Sequence, residues 1–106
     1  MREIKVAAVQ IEHAAGDKSA NLKKIRDFTG RASDAGAEIV LFPECCITGY
    51  LFLKKLGRGE IETLAEPVPD GPSTRELMEL SAKHEITIGS GLVEQGDDGK
   101  LYNGYV

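Results

Sequence analysis

One carboxylate in this chain, Glu44, follows directly after an apolar segment that a proline closes. Pro43 has no amide hydrogen and a fixed φ, so a strand predicted over residues 39–42 must end there. In sheets covered by helices, reactive side chains are placed at such strand ends, which makes Glu44 a candidate catalytic residue. A glutamate that is partly withdrawn from water there is suited to act as a general base. The simpler alternative is a solvated turn carboxylate, or one that caps a backbone amide.

Two adjacent cysteines, Cys45 and Cys46, come next. A disulfide between neighbours is strained, so two reduced thiols are expected. Neither is expected to be a nucleophile paired with Glu44, because adjacent side chains of an extended segment point to opposite sides and buried cysteines usually serve packing. Metal binding is disfavoured, since His13 and His84 stand alone on separate elements. The remaining alternative is a small thiol redox protein, which would need acid-shifted thiols.

A strand, a helix and a second strand are predicted to position the candidate carboxylate. Residues 4–11 are mostly apolar, which is typical of a strand covered on both faces. Asp17 or Ser19 can cap a helix whose apolar residues recur at helical spacing, and Gly36 ends it in a left-handed conformation. The second strand, 38–42, leads directly to the proline. This order predicts a right-handed parallel crossover.

The second half of the chain predicts a further helix and a hairpin. Ser73 and Glu76 fit a capping box, in which Ser73 caps the helix and Glu76 reaches back. A strand over 86–94 is interrupted by Gly89 and Gly91, which indicates close packing or a bulge. The remaining predictions are a short helix at 60–66, a rigid loop at 67–72, a helix end near residue 85, a hairpin turn at 96–99 and a returning strand at 101–106.

Composition limits the class of protein. The chain has 106 residues, of which 42% are hydrophobic, and a net charge of −4 at pH 7. That length suits one small domain over residues 1–106. Nucleic acid is not an expected partner without a basic patch, and a membrane is not expected without an apolar run of about 20 residues. No secretion signal is recognised, so we expect a cytoplasmic protein. No phosphate-binding glycine pattern is recognised either, and no cofactor and no metal are expected.

Taken together, the motifs resemble those of the nitrilase-like carbon-nitrogen hydrolases. That family shows a strand, then Phe-Pro-Glu, then Thr-Gly-Tyr, as in Phe42-Pro43-Glu44 and Thr48-Gly49-Tyr50 here. The resemblance covers essentially the whole chain. The other matching segments are Val6-Ala7-Ala8-Val9-Gln10, Gly16-Asp17, Asn21-Leu22, Ile25, Gly71-Pro72-Ser73, Gly89 and Tyr102-Asn103.

The resemblance implies hydrolysis of a non-peptide carbon-nitrogen bond in a small amide or N-carbamoyl compound, with a nitrile less favoured. Glu44 would be the general base for a cysteine nucleophile that forms a thioester, and a lysine would stabilise the oxyanion. In the family both of these residues come later than Val106, so Lys100 is interpreted as a solvated turn residue. Tyr50 could orient Glu44 or contact substrate, and a half-buried structural tyrosine is the equal alternative. For Asn103, a hydrogen bond at the strand edge and a contact with substrate both stay open.

The implied fold is α/β, a four-layer αββα sandwich in which two sheets lie face to face with helices outside. The chain would be the N-terminal part of a larger hydrolase and would be inactive by itself, because the nucleophile is missing. Such proteins pair through their helical faces, which implies a homodimer or a higher homo-oligomer. A non-catalytic fragment or binding module of the same fold is the alternative.

Overall fold

The computed structural model describes residues 2–106. Helices and strands follow one another in the order β1 (Val6–Ala8), α1 (Lys18–Asp34), β2 (Ile39–Leu41), α2 (Tyr50–Leu53), α3 (Arg58–Leu64), α4 (Pro72–His84), β3 (Thr87–Gly89), β4 (Gly91–Gln95) and β5 (Leu101–Tyr105). The predicted α/β class is confirmed. Among the helices of these residues, none is both long enough and apolar enough to cross a membrane.

Strands β1, β2 and β3 form a parallel sheet in that spatial order. Helix α1 connects β1 to β2, and it packs against α4, which precedes β3. Fully buried Val40 lies at the centre of the sheet, so the core sits between the sheet and these two helices. The predicted parallel arrangement is confirmed. The buried core residues are Leu22, Ile25, Ala32, Val40, Phe42, Cys46, Ile47, Leu77, Leu80, Ile86 and Leu92.

Helix α1 begins and ends where the sequence predicts. The Asp17 carboxylate accepts a hydrogen bond from the backbone N–H of Ala20 at 3.0 Å, which satisfies one of the free amides of the first turn. Gly36, just past the last turn, has a φ of 87°, a conformation that glycine adopts without steric cost. Its N–H donates to the carbonyl of Ser33 at 2.9 Å.

The other face of the parallel sheet is left uncovered within residues 2–106. Val6 is 51% exposed and Leu41 is 40% exposed, and Tyr105, whose ring lies beside Gly89, is 54% exposed. The prediction that the first strand is covered on both faces is therefore wrong for the described chain. The reason is that both long helices bury the same side of the sheet, the side of Val40.

Ser90 joins the two sheets of the structure. Its backbone N–H donates to the carbonyl of Val106, and the N–H of Val106 donates back to Ser90, both at 2.9 Å. Strand β4 then pairs antiparallel with β5. The segment predicted as one strand over 86–94 is thus divided into β3 and β4, which belong to different sheets. The predicted hairpin is confirmed. The predicted short helix is α3, shifted by two residues, whereas the single turn α2 has no counterpart among the predictions.

The start of α4 differs from the prediction. Gly71 is the N-cap, with a proline as the first helical residue, so the capping box of Ser73 and Glu76 is wrong. Ser73 instead donates its backbone N–H and its hydroxyl to the carboxylate of Glu66, at 2.7 and 2.5 Å, and Glu76 pairs with Arg26. A buried carboxylate is a stronger acceptor than a neutral backbone group. Glu66, which lies outside the motif, therefore accepts the hydrogen bonds of Ser73.

Glu66 is a buried carboxylate with a full set of partners. Glu66 is 4% exposed. In addition to the bonds from Ser73, its Oε2 accepts a hydrogen bond from Lys18 Nζ at 2.9 Å. Its backbone pairs with β4 through Val93 and Gln95. Burial alone would raise the pKa of Glu66, but the bonds from Ser73 and Lys18 outweigh burial and hold this pKa below its ordinary value. The residue ties the starts of α1 and α4 to the hairpin.

We expect Glu66→Gln to lower the free energy of unfolding at neutral pH by about 1–3 kcal/mol, because the new amide nitrogen would face the donors of Ser73 and Lys18. Since the folded-state pKa of Glu66 is lowered, its contribution is complete above the unfolded value of about 4.3 and is lost as pH falls through the folded value. Urea unfolding should therefore separate the two proteins widely at neutral pH and less in acid. The exposed change Glu79→Gln is the control, and equal effects of both changes would contradict the prediction.

Candidate active site

Glu44 lies in a turn directly after β2. The N–H of buried Phe42 donates to the carbonyl of Gly89 at 2.8 Å, so the chain stays in the sheet as far as that residue. Pro43 cannot continue the ladder, and residues 44–48 form a turn. Glu44 thus stands at the strand end, as the sequence predicts. Its side chain is exposed, so the expected withdrawal from water is wrong for residues 2–106, because the turn carries the carboxylate beyond the end of β2.

The partner of this carboxylate is Asn103, on strand β5. The Nδ2 atom of Asn103 donates to Oε1 of Glu44, and the Oδ1 atom of Asn103 accepts from Cys45 Sγ at 3.4 Å. The sequence left a strand-edge bond and a substrate contact open for Asn103, and it did not connect this residue with Glu44. The pairing joins residues from opposite halves of the chain. No local pattern could have indicated it, because it depends on how the hairpin docks against β2.

The backbone of β4 lies against the Glu44 turn at Gly91. A Cβ atom at this position would come within 2.2 Å of the backbone nitrogen of Cys45, so glycine is required there. The carbonyl of Gly91 also accepts from the N–H of Ile47 at 3.3 Å. Cys45 has a φ of 49°, an uncommon left-handed conformation for a residue with a side chain, and its carbonyl accepts from Gly49 at 2.9 Å. The predicted close packing at the glycines is confirmed.

Both cysteine thiols are free and buried. Cys46 Sγ lies 3.0 Å from Oγ of Ser90, which is itself fully buried. Burial raises the pKa of the Cys46 thiol, and burial, followed by the charge of Glu44, raises the pKa of the Cys45 thiol. A thiol redox centre would need the opposite direction. The burial agrees with the packing role that the sequence favours for cysteines.

An open groove of about 350 Å³ adjoins the site, and Cys45, Tyr50 and Asn103 line it. Tyr50 opens helix α2 and is 43% exposed. Within residues 2–106 its hydroxyl makes no hydrogen bond to Glu44, so contact with substrate and a structural role of a half-buried tyrosine are the two alternatives that stay open. The other lining residues are mostly apolar: Leu53, Lys54, Ile61, Val93, Leu101 and Tyr102.

The remaining candidates lie apart from this arrangement. Lys100 is exposed, and its backbone N–H donates to Asp98 Oδ1 at 2.9 Å in the hairpin turn, as expected of a solvated turn residue. His84 lies in the last turn of α4, far along the chain from His13, which precedes α1. In the part of the chain that the structure describes, no group of three or more His, Cys, Asp or Glu side chains could hold a metal ion.

The sequence matches a protein-family model described as "Carbon-nitrogen hydrolase" over residues 5–106. Omega-amidase NIT2 of Danio rerio is 34% identical over 103 residues, which cover 97% of this chain and 34% of that protein. A nitrilase of Pyrococcus abyssi is 33% identical over 103 residues, which cover 97% of this chain and 38% of that protein. The chain therefore spans about a third of the length of the curated relatives it matches.

Solved structures of similar proteins share the fold. An N-terminal amidase superposes with a TM-score of 0.80 and 26% identity, over 96% of this chain and 24% of that chain. Nit3 of Saccharomyces cerevisiae, a member of branch 10 of the nitrilase superfamily, superposes with a TM-score of 0.75 and 28% identity, over 94% of this chain and 37% of that chain. Both similarities support the nitrilase-type α/β fold that the motifs imply.

We expect Gly91→Ala to lower the free energy of unfolding by about 1–3 kcal/mol, because the new Cβ atom would overlap the backbone of Cys45. Gly104→Ala, in the same hairpin, is the matched control. Its Cβ atom would meet Oε1 of Glu94 at 3.2 Å and Cβ of Glu94 at 3.3 Å, which are tight contacts but far longer than the 2.2 Å at Gly91, so a smaller loss is expected. Urea unfolding of both variants measures the difference, and an equal loss at the two positions would contradict the close approach at Gly91.

We also expect Glu44→Gln to lower the pKa of the Cys45 thiol, because the neighbouring carboxylate charge adds to the effect of burial. Glutamine keeps an oxygen that can accept from Asn103, so the turn should be preserved. The rate of alkylation against pH, with the modified residue identified by fragment-ion mass spectrometry, gives the thiol pKa. Glu12→Gln, at an exposed position before α1, should leave the pKa unchanged. A shift of the same size in both variants would exclude a specific effect of Glu44.

Proposed function

The chain belongs to the carbon-nitrogen hydrolase family, and from this membership we propose that residues 1–106 are the N-terminal part of an enzyme that hydrolyses a non-peptide carbon-nitrogen bond in a small molecule. The proposed substrate is an amide or an N-carbamoyl compound, with a nitrile less favoured. The names of the similar proteins support an amide, since they include an omega-amidase and an N-terminal amidase beside a nitrilase.

The observation that carries this proposal is the placement of Glu44 at the end of β2, where its chain neighbour Cys45 and its hydrogen-bond partner Asn103 both line a largely apolar groove. Asn103 occupies its Oε1, while Oε2 has no hydrogen-bond partner within residues 2–106. A carboxylate that is held by one oxygen and free at the other is suited to take a proton from a nucleophile. The groove provides an apolar surface for the body of a small substrate next to this base.

In the proposed mechanism, Glu44 takes the proton of a cysteine thiol outside residues 1–106, and the thiolate attacks the carbonyl carbon. The acyl thioester forms as the nitrogen departs with the proton that Glu44 returns to it. Glu44 then takes a proton from the water that attacks the thioester carbon, and it returns this proton to the departing cysteine sulfur, which leaves the acid and the free thiol. A lysine, also outside these residues, stabilises the oxyanion of both tetrahedral intermediates. A homo-oligomer that pairs through helical faces, in the cytoplasm, belongs to the same proposal.

A non-catalytic binding or assembly module of the same fold is the second candidate. The exposed side chain of Glu44 favours it for residues 2–106 taken alone, because a general base works best where it is partly desolvated. The reading frame beyond Val106 separates the two candidates. A lysine and then a cysteine after a further apolar strand would support the enzyme, and their loss would support the module.

We expect Glu44→Gln in the full-length protein to reduce turnover by about 10²–10⁴-fold with the fold intact, because the amide cannot accept the thiol proton. Ammonia release from a panel of amides, N-carbamoyl amino acids and nitriles measures the loss, with Glu79→Gln as the control. The isolated 106 residues should release no ammonia. Near-normal rates in the Glu44 variant would remove this residue from the mechanism, and release by the isolated chain with Cys45 and Cys46 both changed to Ser would contradict a missing nucleophile.

A further inference from the structure

Asn103 makes two contacts that together constrain Glu44: one to the carboxylate itself and one to the thiol of the next residue. From these contacts we infer that Asn103 is a positioning residue for Glu44, and that Cys45 sets the orientation of the Asn103 amide. The inference deepens the proposed function and rests on it. The catalytic group remains Glu44, and Asn103 acts by holding it.

The two ends of an asparagine amide differ, since the nitrogen donates hydrogen bonds and the oxygen accepts them. The Glu44 carboxylate can accept only, and the Cys45 thiol is a donor. One orientation of Asn103 therefore satisfies both neighbours, and the flipped orientation would set its oxygen against the carboxylate. A hydrogen bond between an amide and a charged group is among the stronger ones, so Glu44 is held at Oε1. The thiol bond, at 3.4 Å, selects the amide orientation that allows it.

Both sides of this contact are attached to well-fixed backbone. Asn103 is the middle residue of β5, paired with Val93 of β4, and β4 meets the Glu44 turn at Gly91. The same strand makes a second tie, because the hydroxyl of Tyr105 donates to the carbonyl of Phe42 at 2.7 Å. Strand β5 thus holds the end of β2 at a backbone atom and at the side chain of Glu44.

A fixed carboxylate has fewer conformations to lose when it reaches the geometry for proton transfer. The contact from Asn103 is made before substrate binds, so its removal should lower kcat and leave KM nearly unchanged. The competing role for Asn103 is direct contact with substrate, since the residue also lines the groove. That role predicts a rise in KM.

The kinetic test uses the full-length protein and the best amide of the panel. We expect Asn103→Leu, which keeps the size and removes both bonds, to lower kcat by about tenfold to a hundredfold with KM changed less than about twofold. Gln95→Leu, which removes an exposed amide from the same hairpin, should change neither constant. Cys45→Ala should lower kcat by a few-fold, and Cys45→Ser, which keeps a donor, should recover most of the loss. Should Asn103→Leu fail to fold, the smaller Asn103→Ser removes the same contacts and the same outcomes apply.

Alkylation of the Cys45 thiol tests the contact without reference to activity. Asn103→Leu removes the acceptor that favours the protonated thiol, so Cys45 should react at lower pH than in the wild type, with Gln95→Leu unchanged. The inference is overturned by an unaltered thiol titration, by normal kcat in the Asn103 variant, by a rise in KM alone, or by equal rates for Ser and Ala at position 45. A wild type inactive on every substrate would instead overturn the proposed function, and the alkylation result would still decide the contact.

Discussion

The arrangement around Glu44 depends on the contact between two backbones at Gly91. Strand β4 approaches the turn so closely that a single added carbon atom would overlap Cys45, and this approach brings Asn103 of the paired strand β5 within reach of the carboxylate. The left-handed conformation of Cys45 belongs to the same turn, in which the N–H of Ile47 donates to the carbonyl of Gly91. The absence of a Cβ atom at position 91 is therefore as necessary for the candidate site as the side chains of Glu44 and Asn103.

Two glutamates in this fold show how surroundings assign opposite tasks to one side chain. Glu66 is buried, with its carboxylate bonded to Ser73 and Lys18, so it stabilises the joint between α1, α4 and the hairpin. Glu44 is exposed and has one described partner, so one of its oxygens is free. Full satisfaction of a buried charge favours stability and leaves no oxygen available for a reaction, whereas partial satisfaction at a strand end leaves an oxygen that suits the role we propose for Glu44.

The sequence predicts those features that are determined by neighbouring residues. The cap at Asp17, the left-handed Gly36 and the strand end at Pro43 all follow from local chemistry, and the structure contains all three. The predicted capping box at Ser73 is wrong because a residue outside the motif bonds to the serine. A carboxylate outside the motif, Glu66, reaches the serine and is a better acceptor. The contact between Glu44 and Asn103 depends on how distant elements dock, which no short pattern encodes.

The exposure of Glu44, the proposed base, and the uncovered face of the parallel sheet have a common explanation. Leu41 on β2 and Tyr105 on β5 are both exposed, and each lies close to the end of β2 that carries Glu44. Parallel sheets are normally covered on both faces. If the chain is part of a four-layer αββα sandwich, as the resemblance to the nitrilase-like hydrolases implies, a second sheet would pack on Leu41 and would also place side chains next to Glu44. The same packing would remove water from the apolar face and from the carboxylate. Without that water, the electrostatic interactions of Glu44 would become stronger. If Glu44 is the general base that we propose, residues 2–106 already hold it in position, and a second sheet packed on Leu41 would supply the dry surroundings in which it acts.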